Sequence, residues 1–175
     1  MKHLTLLAAS FLFCAVFVNA YGQKDIKQVK NSDQPYKVQA NNITIGNPAY
    51  AQKVLWAWKY YDNNTLDKAG DLFADDIVAT LPDGTLIKGK DNFLKSMQDY
   101  RNSFASATSE IAACTTLKTP DDPEHEVVTI WGEETDTAKD GTVTKVHLNE
   151  VWFFNKQGKV VEFHQLAAKS SPDKK

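Results

Sequence analysis

The strongest constraint on this chain's fold is the run Val146-His147-Leu148-Asn149-Glu150-Val151-Trp152-Phe153-Phe154 near its C-terminus. Its aromatic and β-branched content is that of a buried strand. Asn155-Lys156-Gln157-Gly158 then turns the chain back into a second apolar run, Lys159 to Leu166. Side chains alternate faces along a strand, so Val146, Leu148, Glu150, Trp152 and Phe154 share one face. An acid flanked by Leu, Trp and Phe is either desolvated, with its pKa raised, or satisfied by a partner or ligand. Both alternatives point to a cavity behind the sheet.

The hairpin register decides what stands beside that acid. A four-residue loop, Asn155–Gly158, sets Phe163 opposite Glu150, keeps Val161, Phe163 and Gln165 on the inner face, and turns His147 and His164 outward. A three-residue loop instead brings His164 beside Glu150 as an acid–base dyad, because a slip of one residue flips every side chain. The four-residue loop is favoured, since it gathers apolar residues around Trp152. On that reading His147, Asn149, Glu162 and His164 form an outer polar patch, a solvent or dimer surface rather than a metal site.

The chain has 175 residues and a formal net charge of −2. Its charges are mixed in sign and form no basic stripe, which argues against nucleic-acid binding. Met1-Lys2-His3 followed by the apolar stretch Leu4 to Val18 has the form of a secretory signal peptide over residues 1–22, with cleavage after Ala20 or Gly22. Phe13, directly before Cys14, disfavours lipoprotein processing. Cleavage leaves Cys114 alone, so the expected secreted or periplasmic domain relies on its core rather than on a disulfide. No membrane association is expected after cleavage.

Residues 23–47 are polar and read as a leader, with Tyr36-Lys37-Val38 able to add an edge strand. Asn47-Pro48 is a helix start, and the stripe Ala51, Val54, Leu55, Trp58, Tyr61 is the inner face of that helix. A second helix runs from the Thr65 cap through Leu72 and Phe73 to Asp75-Asp76, followed by a strand, Ile77 to Leu81. Pro82-Asp83-Gly84 is a turn, Thr85 to Ile87 a short strand, and Asp91 opens a third helix carrying Phe93, Met97, Tyr100 and Phe104. Strands follow over Ala107–Lys118, Val127–Thr135, Thr142–Phe154 and Lys159–Ala168. Residues 169–175 form a charged tail. Three helices ahead of a meander make an α+β order. A single strongly curved sheet wrapped on the helices would enclose a cone-shaped cavity, with Trp131 and Trp152 bulky enough to line or fill it.

Together, Leu72-Phe73-Ala74-Asp75-Asp76-Ile77, Pro82-Asp83-Gly84, Gly89-Lys90-Asp91-Asn92-Phe93, Glu150-Val151-Trp152-Phe153-Phe154 and Gly158-Lys159-Val160 resemble the SnoaL-like branch of the NTF2-like superfamily. The resemblance covers roughly residues 48–168. It implies the NTF2-like (cystatin-like) cone, with three N-terminal helices on a strongly curved antiparallel sheet. The family hosts ketosteroid isomerases, polyketide cyclases, epoxide hydrolases, dehydratases and non-catalytic association modules, so fold does not settle function. The resemblance puts Glu150 where steroid isomerases hold an oxyanion with a carboxylic acid. It puts Leu81 where their general base lies and Ala57 where their tyrosine lies, which argues against that reaction. It also implies that Tyr61, Leu148, Phe163 and Gln165 face the cavity.

These readings give Glu150 as the one candidate catalytic residue, with Tyr61, Leu81, Trp131, Leu148, Trp152, Phe163 and Gln165 as pocket lining. Glu150 is either a neutral donor in an apolar cavity or an acid satisfied structurally by a tyrosine or lysine. The leading expectation is an exported protein binding a small apolar or amphipathic molecule, with no metal or cofactor. The alternatives are an isomerase, cyclase or dehydratase using Glu150 as acid, and a homodimeric association module joined through the convex sheet face. The acidic turn Asp121 to Glu126 reads as a solvated connection.

Overall fold

A computed structural model of the chain describes residues 35–38, 40 and 42–170. The signal peptide expected over 1–22 lies outside the described residues, as do most of the polar leader and residues 171–175. Residues 36–38 take no strand conformation; the edge strand is β1, Thr44–Ile45. Helix α1 spans Pro48–Asp62, and the Asn47 side chain accepts from the Ala49 N–H at 3.0 Å, with Pro48 in the first turn. Its inner face buries Val54, Ala57 and Trp58.

The second expected helix is a seven-residue 3-10 segment, Leu66–Leu72. Thr65 makes no capping bond with its side chain, and the chain extends early. Phe73, Asp75 and Asp76 therefore belong to β2, Phe73–Thr80, rather than to a helix end. Leu81 to Gly84 closes a turn through the bond from the Gly84 N–H to the Leu81 carbonyl at 2.9 Å, and Gly84 has φ +85°. Strand β3, Leu86–Lys88, leads to α2, Lys90–Asn102. Phe104, expected at the end of that helix, instead opens β4, Phe104–Thr119, which pairs with β5, Asp122–Ala138. Strands β6, Val143–Phe154, and β7, Val160–Lys169, complete the sheet.

The sheet order is β1-β4-β5-β6-β7-β2-β3. The α+β cone class holds, but the sheet is mixed rather than wholly antiparallel, because β2 joins β7 in parallel. Three register shifts interrupt the β4–β5 ladder, at Phe104/Ser106, Ile111/Ala113 and Leu117/Thr119. Each adds local bend and twist to a long strand pair. The curved face is filled by Val54, Trp58, Phe73, Ile77, Phe93, Ile130, Trp152 and Phe163, among others. Phe73 stacks on Trp152, and Trp152 meets Phe163 edge-on at 4.9 Å between centroids. These rings form a rigid wall behind the acid on β6.

Candidate functional site

The β6–β7 register places Gln165, not Phe163, directly opposite Glu150; Phe163 pairs with Trp152. The loop is three residues, Lys156 to Gly158, closed by the bond from the Asn155 N–H to the Lys159 carbonyl, rather than the four expected; that one-residue change and a one-residue bulge beside Phe153 and Phe154 together move the pairing by two. It also puts Val160 in the core where Val161 was expected. A shift of two preserves the faces, so Phe163 and Gln165 point inward and His164 bonds Glu162 outside. The dyad of His164 with Glu150 does not form.

Glu150 is 4 % exposed. Its Oε2 accepts from the indole N–H of Trp58 at 2.5 Å and of Trp152 at 3.0 Å, and its Oε1 accepts from the Gln165 amide at 2.7 Å. Burial pushes its pKa up to about 7, against the opposing pull of the Gln165, Trp58 and Trp152 hydrogen bonds. Indole N–H groups only donate, so both lone-pair directions of Oε2 stay committed. The proton taken up near neutrality therefore goes to Oε1, where Gln165 can turn its amide to accept it.

Trp58 reaches this acid because β5 has a glycine beneath it. A Cβ at Gly132 would lie 2.8 Å from the Trp58 ring and 2.9 Å from the Glu110 carbonyl oxygen. The sequence pattern marks Trp58 as a core residue; its second task as a donor follows only from this close approach.

Glu150 stands in a cavity of about 490 Å³. Of the residues expected to line it, Tyr61, Leu81, Leu148, Trp152, Phe163 and Gln165 do so, as do Ala57 and Glu150 itself. Trp131 does not. It is 42 % exposed and lies in a groove on the opposite face of the sheet with Ile111, Asn149 and Leu166. The reason is strand parity: the inner face of β5 runs Val128, Ile130, Gly132, Glu134, Asp136, so the odd-numbered Trp131 must face out.

That same parity carries a second pair of buried acids inward. Glu134 is 8 % exposed and Asp136 2 % exposed. Glu134 lines the cavity, as do Tyr61, Tyr100 and Ser109. Burial and the adjoining Asp136 carboxylate raise the Glu134 pKa well above the usual carboxylate range, and burial raises that of Asp136. The two carboxyls adjoin in a buried site, which disfavours ionising both at once. Arg101, also buried, donates from Nε to the Tyr61 carbonyl at 2.9 Å and from Nη2 to the Asp62 carbonyl at 3.0 Å. Asp62 accepts from the Ser109 hydroxyl at 2.8 Å. The apolar periodicity used to place strands passes over these acids; the alternation continuing from Val128 and Ile130 is the signal that finds them.

A model of the SnoaL-like domain matches residues 56–163, more than half of the sequence. The chain belongs to the SnoaL-like family. No curated protein matches it significantly. Among solved structures, an NTF2-like protein of unknown function from Exiguobacterium sp. 255-15 is 16 % identical, with TM-score 0.57, covering 67 % of this chain and 99 % of its own. An LEH-like epoxide hydrolase from M. tuberculosis is 10 % identical at TM-score 0.57, covering 69 % and 84 %. A protein with a ketosteroid isomerase-like fold from Catenulispora acidiphila DSM 44928, solved with trimethylamine, is 16 % identical at TM-score 0.52, covering 69 % and 85 %. At these identities the likeness shows the SnoaL-like fold and leaves the reaction open.

Proposed function

We propose that this SnoaL-like domain is an exported carrier or sensor of a small apolar or amphipathic molecule, held in the cavity with a polar group against Glu150 and Gln165. The observation carrying the reading is the four-residue polar cluster at the cavity wall: the Glu150 acid meets one reorientable amide at Oε1, while two indoles keep it in place. Such a carboxyl can accept from an alcohol when ionised or donate to a carbonyl when protonated, without moving. The largely apolar lining supplies affinity, and the fixed polar pair supplies orientation. Export rests on the N-terminal sequence pattern.

Octanol titrated by calorimetry tests this. The wild-type protein should bind it, and Glu150→Gln, an isosteric change, should weaken binding about tenfold, the loss expected for one hydrogen bond to a charged group. No binding to the wild type, or equal binding to both, removes the reading.

One feature favours a catalytic second reading: burial among apolar side chains raises the Glu150 pKa to about 7, the range a general acid needs. The positions of the steroid isomerase base and tyrosine hold Leu81 and Ala57, both facing the cavity, so any such enzyme would need a different base. Exposed Ile111, Trp131 and Leu166 on the outer face suit a symmetric dimer, which sedimentation would test; a monomer at all concentrations would exclude it.

A further inference from the structure

The cavity has a second pole that the reading above does not use. Glu134 faces it from β5, and Asp136 follows two residues on along the same inner face. Among the described residues, two buried side-chain polar atoms have no hydrogen-bond partner: the Tyr61 hydroxyl and Asp136 Oδ1. Tyr61 lines the cavity at this pole, and Asp136 is buried beside the lining residue Glu134. The Tyr61 hydroxyl is held protonated by burial and by the charges of Glu134 and Asp136, which places the three groups together. Orphaned buried polar atoms are rare in native proteins and call for an explanation.

The neighbouring cations donate no hydrogen bond to either atom, although the Arg101 charge acts on Asp136. Arg101 lies 6.0 Å from the centre of the Tyr61 ring, and the N–H groups that bond go to the Tyr61 and Asp62 carbonyls. Lys169, opposite Val146 on β7, lines the cavity at its mouth with an exposed side chain and makes no bond to either orphaned atom. Asp62 is satisfied by Ser109. What is left is two carboxyls, one oxygen of which is unpartnered, and the phenols of Tyr61 and Tyr100, whose hydroxyls can donate or accept. That set holds more acceptors than donors. It suits a group that brings several of its own, carries positive charge and tolerates aromatic faces, which is an alkylammonium.

Glu134 pairs with Val146, four residues from Glu150 on β6. At the usual strand rise this separates the two poles by about 13 Å along the sheet, with the apolar lining of Val146 and Leu148 between them. We infer that the ligand is a cationic amphiphile, its ammonium group at Glu134, Asp136 and Tyr61 and its apolar body running toward Glu150. The inference rests on the cavity-binding reading and deepens it.

Octylamine and octanol, titrated separately into the full-length protein by calorimetry, decide between them. The amine should bind at least tenfold more tightly than the alcohol. That ratio should rise in Glu150→Gln, where octanol alone loses its polar contact, and fall to about one in Asp136→Asn and in the Glu134→Gln, Asp136→Asn double variant, each first checked for cooperative unfolding. Should a variant fail to fold, the wild-type ratio alone still decides. Equal affinity of the wild type for amine and alcohol overturns this inference and leaves the cavity reading standing. Loss of the ratio in Glu150→Gln also overturns it, by placing the amine at the other pole. Binding of neither compound overturns both.

Discussion

The two ends of the cavity bury acids under opposite conditions. At the Glu150 end a single carboxyl meets three N–H donors, two of them on rigid indoles packed into the aromatic wall. At the Glu134 end two carboxyls face each other with a tyrosine, and two polar atoms go unpartnered. Burial raises both acids, but hydrogen bonding restrains only the first. The contrast separates an acid built into the core, whose removal strands its donors, from an acid pair held at a cost to stability, as binding sites often are.

Substitution by leucine should break this symmetry most visibly. Glu150→Leu orphans two buried indole donors and the half-buried Gln165 amide, and should lower the unfolding free energy by about 3–5 kcal/mol in urea at pH 7. Glu134→Leu strands no donor and should change it by no more than about 1 kcal/mol. Equal losses would erase the distinction.

The pH dependence of stability comes next. The folded pKa of Glu150 is about 7 against an ordinary 4.5. Between those values the folded state keeps a proton that the unfolded chain has released, so its contribution is full below pH 4.5 and is lost as pH rises through 7. The loss is roughly 3 kcal/mol. Glu150→Gln should remove this part of the slope and leave the part due to Glu134, which has the same sign and extends to higher pH. A slope unchanged by the substitution would assign it elsewhere.

Gly132→Ala tests what positions the first acid. The added methyl displaces the Trp58 ring, and the cost should be about 2 kcal/mol, with an altered indole fluorescence spectrum. An unaltered spectrum would mean that the backbone yields instead. Smallest is Ser109→Ala, which removes the hydroxyl bond to Asp62 at 2.8 Å and should cost about 1 kcal/mol. A larger loss would show donor dependence at the Glu134 end too.

These two ends were also unequally legible in the sequence. Glu150 stands out because one carboxylate interrupts an otherwise apolar alternation, and its inward face follows from strand periodicity alone. Its partner Gln165 falls on the correct face, but the pairing across the hairpin depends on a bulge beside Phe154 that no local residue pattern announces. Glu134 and Asp136 sit among Glu133, Thr135 and Thr137, where both faces look polar and Gly132 offers no side chain to read. Size then drew Trp131 inward by analogy with Trp152, while parity from Val128 and Ile130 turns it out. The short 3-10 segment was hidden for a related reason: Leu66, Ala69 and Leu72 are spaced to suit either helix type.

Glu150, raised to a pKa of about 7 inside the cavity wall, is the group on which binding at this end depends. Following the indole N–H resonances of Trp58 and Trp152 by NMR across pH measures this directly, because both bond the same carboxylate oxygen. The two should titrate together with a midpoint near 7, and the transition should vanish in Glu150→Gln. A shared midpoint near the ordinary 4.5, or resonances that do not move, would contradict it.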